Sequence, residues 1–165
     1  MTLQSAKIQG ETSSKQSIID GLASPLVPTL LSLAKTTRAL MGIRLAELGL
    51  NQGQDELLIA LEMDKPVSVS TLSDRLVVRP STVSKMLDRL CAKGLVERLP
   101  SPQDARLTLV KLTRDGHAAK TNVRLLWDMI GIELARKMEP DGKDSMLGAL
   151  GTIDELIGSK LRRLR

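Results

Sequence analysis

Between Arg79 and Lys85 the chain reads Arg-Pro-Ser-Thr-Val-Ser-Lys, so five of seven consecutive positions carry a cation or a hydroxyl. Hydroxyls donate and accept hydrogen bonds, and a guanidinium offers five donors in a flat fork. Such a fork matches the paired acceptors on the major-groove edge of guanine, while serine and threonine hydroxyls suit several base edges. Ser70, Arg89 and Arg98 lie nearby and extend the set. The chemistry on offer is recognition of an anionic, hydrogen-bonding partner rather than the making of bonds.

The local charge agrees. The stretch from Pro66 to Thr113 holds eight basic residues (Arg75, Arg79, Lys85, Arg89, Lys93, Arg98, Arg106, Lys111) and four acidic ones (Asp74, Asp88, Glu97, Asp104), an excess of +4 in a chain of net charge +5. Affinity for a polyanion rises with each phosphate neutralised, so a local excess matters more than the total. Of 165 residues one is tryptophan, Trp127, and none is phenylalanine or tyrosine. Single strands are held by bases stacking on aromatic rings, which this chain cannot supply. A nucleic-acid role therefore points to a duplex.

Catalytic alternatives find little to stand on. His117 is the only histidine, so neither a histidine metal cluster nor the usual Ser–His–Asp arrangement is available. No glycine-rich phosphate loop occurs. No enzyme, metal or cofactor is expected. Cys91 is the only cysteine, which rules out an internal disulfide. It falls beside Leu87 and Leu90 and reads as a small buried hydrophobe; a redox-responsive regulator using Cys91 is the alternative.

These residues need elements to hold them. Pro80 suits the first position of a helix, where its missing N–H costs nothing. That helix runs to about Lys93 and ends at Gly94 as a left-handed cap. Val83, Met86, Leu87 and Leu90 form its buried stripe. Before it, Ser68 or Ser70 caps a brief helix through Leu76, and Val77 to Arg79 make a tight turn. After it, Leu95–Leu99 reads as a strand, residues 100–104 as a turn-rich loop, and Leu107, Leu109 and Leu112 as the apolar positions of a second strand. Two short helices, a turn and a strand–loop–strand make a winged helix-turn-helix whose second helix reads the major groove. Upstream, a helix runs from Pro25 and Pro28 to about Leu48, and another, capped by Asn51 with Gln54 as its capping-box partner, runs to about Met63. Downstream lie a helix from about Asp115 to Met138, a break at Pro140, Asp141 and Gly142, and a final helix carrying Met146, Leu150, Ile153, Ile157, Leu161 and Leu164 on one stripe. The cluster Lys160, Arg162, Arg163 and Arg165 reads as a cationic helix end that complements the dipole.

The string VSKMLDRLCAKGLVERLPSPQDARLTLVKLT, Val83 to Thr113, followed by RDG, closely resembles the MarR family of bacterial regulators. The resemblance is strong over about residues 54–117 and only architectural across the flanking helices. It implies a mainly α fold with a small β-hairpin wing, a winged helix-turn-helix flanked by long dimerisation helices. It also implies that Arg106 enters the minor groove, oriented by Asp104. Family wings often carry two adjacent arginines after the Asp; here Ala105 intervenes and only the second position is filled.

The expected organisation is a mobile tail over residues 1–16, a helical dimerisation region over 17–50 and 115–165, and a winged helix-turn-helix over 51–114. The long apolar stripes at both ends predict a homodimer on a palindromic operator. The resemblance further implies a repressor released by a small aromatic or phenolic effector, with Thr37, Met41, Arg44, Leu61 and Trp127 as candidates to line its crevice. For Trp127 a core or dimer contact is the competing assignment. A winged helix used as a protein-interaction module is the alternative function, disfavoured by the polar face of the reader helix. The amino terminus shows no basic segment followed by an apolar run, and no apolar run reaches the ~18 residues a membrane span needs; the expectation is a cytoplasmic protein.

Overall fold

Pro25 precedes the first helix and Pro80 opens the reader helix, and Gly49 and Gly94, both at positive φ, follow the ends of those two helices. The computed structural model describes residues 25–102, 104, 107–138 and 142–164. The expected tail over residues 1–16, Arg106 in the wing, the break residues Pro140 and Asp141, and Arg165 lie outside the described residues. Among the described residues nine elements follow in order: α1 (Leu26–Glu47), α2 (Gln54–Ala60), β1 (Val67–Ser68), α3 (Val69–Leu76), α4 (Pro80–Ala92), β2 (Val96–Pro100), β3 (Thr108–Leu112), α5 (Arg114–Ala135) and α6 (Gly142–Arg163). Contacts divide the chain into two units, residues 1–43 and 44–165.

In the second unit the buried hydrophobic residues are all leucine or valine, among them Leu45, Leu57, Leu72, Leu87, Leu90, Val110 and Val123. Methionine and isoleucine, expected to share the core, stay at its margin among the described residues. The reader-helix stripe is buried as its spacing predicts at Val83, Leu87 and Leu90, while Met86 is half-buried.

The sheet has three strands in the order β1-β3-β2, all antiparallel. The hairpin was expected; the short β1, pairing Val67 with Val110 and Ser68 with Leu109, was not. Two residues are too few to show a period. On β3 the side chains that point inward are Val110 and Leu112, whereas Leu107 is exposed and Leu109 half-buried. Leu107 lies just before the strand, and within it Leu109 and Leu112 take opposite faces, so the three leucines never formed a single stripe.

Two boundaries shift. Gly53, at φ 82°, caps α2 in place of Asn51. The capping-box partner is nonetheless in place, because Gln54 Oε1 accepts from the Asn51 N–H at 2.9 Å. The helix ends at Ala60 rather than near Met63, and Leu61, already extended, is fully buried.

Candidate nucleic-acid interface

The helix-turn-helix is assembled from local signals. Ser68 caps α3, its hydroxyl accepting from the Thr71 N–H at 3.1 Å. The turn that follows places Val77 at φ 54°, a left-handed conformation that costs a β-branched residue energy and sharpens the reversal. Arg79 is then extended at φ −70°, and Pro80 opens α4. With Val83, Leu87 and Leu90 turned inward, Arg79, Pro80, Ser81, Thr82, Lys85 and Arg89 are exposed and Ser84 is half-buried. No acidic residue occupies the first turn of α4, so the positive end of the helix dipole is unopposed there. Ser70 is exposed as well, its hydroxyl 2.8 Å from that of Ser68. Asp104 is exposed beside the wing turn.

Arg98, expected to contact DNA, makes contacts within the protein. Its Nη2 lies 2.8 Å from Asp88 Oδ1 and donates to the Ser84 carbonyl at 3.4 Å. Across the hairpin, Lys111 pairs with Glu97 at 3.2 Å, in the register that sets those residues opposite each other.

Several supports of the interface escaped the sequence reading. Met86 of α4 packs against Gly53: a Cβ there would meet its sulfur at 2.9 Å. Lys93, at the other end of α4, donates to the Gly49 carbonyl. Thr113 caps α5, its hydroxyl accepting from the Gly116 N–H at 3.0 Å and donating to the Gly94 carbonyl at 2.7 Å. Gly116 is buried so closely that a Cβ would sit 1.8 Å from the Leu95 carbonyl oxygen. Lys120 is 2% exposed; its Nζ donates to the Leu61 carbonyl at 2.6 Å and to Glu62 Oε1 at 2.8 Å. That hydrogen bond holds the Glu62 carboxyl below the usual carboxylate range. The only legible signal was the RDG that follows the second strand, and it pointed to a family rather than to a contact.

Cys91 is half-buried, and burial pushes its thiol up, away from the thiolate that redox chemistry requires. His117 is exposed at the start of α5. Among the described residues no three His, Cys, Asp or Glu side chains gather as a metal site, and no helix is long and apolar enough to cross a membrane.

The candidates for an effector crevice divide between the two units. Leu61 is fully enclosed and presents no surface. Arg44 pairs with Glu47 one turn on, at 3.5 Å. Thr37 and Met41 belong to the first unit. Trp127, 37% exposed, lines an open groove of about 640 Å³ with Asp128, Gly131 and Ile132 of α5, Arg136 at its C-cap and Lys143 of α6.

A capped positioning helix, a tight turn, a reader helix with a polar outer face and a hairpin beside it define a winged helix-turn-helix protein. Residues 50–108 match the sequence profile of the MarR family. The chain is 39% identical over 74 residues to the multiple antibiotic resistance protein MarR of Salmonella typhimurium, a match covering 45% of this chain and 51% of that protein. The chain thus spans about half the length of that relative. Over 97 residues it is 30% identical to the HTH-type transcriptional repressor MdtR of Bacillus subtilis, covering 59% of this chain and 63% of the relative. Among solved structures, a Cys-to-Ser variant of Escherichia coli MarR complexed with operator DNA superposes with a TM-score of 0.71 at 27% identity, covering 82% of this chain and 96% of that one. The transcriptional regulator SlyA shares the fold at a TM-score of 0.77 and 12% identity, covering 86% of this chain and all of the other.

Proposed function

We propose that this chain is a sequence-specific duplex-DNA-binding transcriptional regulator that acts as a homodimeric repressor and is released from its operator by a small aromatic or phenolic compound. The observation that carries the DNA-binding part is the outer face of α4. Arg79, Ser81, Thr82 and Lys85 are exposed at the end of a helix whose other side is sealed by Val83, Leu87 and Leu90. A helix presented this way enters a major groove with its first turn against base edges. In this reading Arg79 takes guanine, the hydroxyls of Ser81, Thr82 and Ser84 take neighbouring base edges, and Ser70, Lys85 and Arg89 take phosphates. Arg106, oriented by Asp104, enters the adjacent minor groove, where negative potential concentrates. Repression is supported by the named activity of the MdtR relative.

The dimer is argued from apolar surface. Leu31 and Ile43 on α1, Leu125, Met129 and Ile132 on α5, and Leu147, Leu156 and Ile157 on α6 are each more than half exposed. Helical faces this apolar are covered in a stable protein, and a two-fold axis covers them with a second copy. For the effector, the groove beside Trp127 offers an aromatic wall with Arg136 and Lys143 as cations for an acid or phenolate.

Selection of bound duplexes from a random-sequence pool tests the central claim. The expected product is a palindrome with half-sites about 10 base pairs apart, bound with an affinity that falls steeply with salt. Recovery of no preferred sequence, or binding indifferent to salt, overturns it. Titration of aromatic acids and phenols, following Trp127 fluorescence and operator release together, tests the effector.

A further inference from the structure

We propose that Arg98 is a positioning residue that braces the reader helix against the wing, and is not a phosphate ligand; the proposal rests on the DNA-binding reading above. Arg98 sits at the centre of β2, opposite Val110 of the middle strand, and Val110 in turn pairs with Val67 of β1. From that firm base its guanidinium reaches α4, 2.8 Å from the Asp88 carboxylate and 3.4 Å from the Ser84 carbonyl oxygen. Ser84 and Asp88 are four residues apart, so this one nitrogen, Nη2, bridges one helical turn on the side of α4 that faces the wing strand.

Two physical points separate a brace from a phosphate ligand. A guanidinium already held by a carboxylate at hydrogen-bonding distance has its charge neutralised, and it adds little to the counterion release that drives binding to DNA. A carboxylate on a helix laid against phosphates is repelled by them, so Asp88 opposes DNA binding unless it sets geometry. The geometry in question is the tilt of α4 about its apolar stripe. Val83, Leu87 and Leu90 anchor the helix from beneath, but apolar contacts resist rocking less specifically than a directed, charge-assisted hydrogen bond. Arg79, Ser81, Thr82 and Ser84 meet base edges at only one tilt. A small error there misplaces every polar contact at once.

The experiment is a double-mutant cycle of Asp88→Asn and Arg98→Gln, read as affinity and as the salt slope of that affinity. The probe is a duplex selected by the wild-type chain from a random pool. Both substitutions fall on exposed parts of the side chains, and circular dichroism verifies that each variant is folded. The brace predicts that each single change weakens binding about fivefold, the scale of an exposed pair counted in both subunits. It predicts that the double variant is no weaker than either single, and that the salt slope is unchanged throughout. A phosphate ligand predicts the reverse: Asp88→Asn leaves binding equal or tighter, and Arg98→Gln lowers the slope by about one per contact. Either of those results, or losses that multiply in the double variant, overturns the brace. A wild-type chain that binds no duplex overturns the DNA-binding reading itself, and the brace with it.

Discussion

Arg79 and Lys120 are both cations, and burial gives them opposite tasks. Arg79 is exposed at the first turn of the reader helix. Replacing it with alanine is expected to cost roughly 1–3 kcal/mol of operator affinity, and to relax the choice of base at one position of each half-site. The melting temperature of the free protein should stay where it was, and a parallel thermal scan checks this. Lys120 is enclosed, with its ammonium bonded to the Leu61 carbonyl and to Glu62. Lys120→Met removes a charge-assisted bond and orphans a carbonyl beside a fully buried leucine, a loss expected to be about 2 kcal/mol in urea unfolding. Acid separates the two parts of that loss. The lowered Glu62 carboxyl contributes stability that is complete above its unfolded value and disappears as pH falls through its folded one. The gap between wild type and variant should therefore narrow in acid; a constant gap shows that Glu62 contributes nothing.

At the scale of elements, the start of α5 governs how firmly the long helix is joined to the winged module. Thr113 caps the helix and also holds the Gly94 carbonyl, while its own N–H donates to the Leu95 carbonyl at 3.1 Å. The first turn of α5 thus lies directly on the turn that ends the reader helix. Gly116 makes this approach possible. The methyl of Gly116→Ala would fall 1.8 Å from backbone oxygen and 2.8 Å from backbone carbon of Leu95, atoms that yield only if the helix moves. The substitution is expected to cost at least about 2 kcal/mol of stability, with chemical denaturation as the measure. Ser68→Ala makes a milder test at the other end of the module. It removes the cap of α3 and should cost about 1 kcal/mol.

For the whole molecule the decisive quantity is exposed apolar surface. None of the described residues of α6 is buried, although Leu147, Leu156 and Ile157 lie on it. Sedimentation at micromolar concentration is expected to return the mass of two chains, each of 18.0 kDa. Leu156→Glu together with Ile157→Glu should release monomers. A monomeric wild type, or a dimer indifferent to both changes, would remove the two-fold from the proposed function. If the dimer holds, the distance between its two reader helices sets the half-site spacing. Any ligand that binds one spacing better than another then controls release, to the extent of that difference in affinity.

What was legible in the sequence was whatever is decided within a few residues. Pro80 opening a helix, Gly94 closing it in the left-handed region at φ 69°, Ser68 as a cap, and the stripe of Val83, Leu87 and Leu90 all follow from short-range geometry. The exposed recognition face follows from that stripe, since residues not turned inward are turned out. Leu107 shows the limit even there: its type suggested an inward position, and its place just before the strand left it exposed at 47%. What only the tertiary structure decided are the contacts between segments far apart in sequence. Lys120 meets Glu62 across 58 residues and Lys93 meets Gly49 across 44, and neither separation carries a local signal. Arg98 carried no sign of its partner, because nothing in VERLP states that Asp88 lies within reach. Gly116 looked like part of a motif because the backbone it must clear belongs to Leu95, on the far side of the hairpin. Periodicity records which way a side chain turns; its partner is set by how the elements pack.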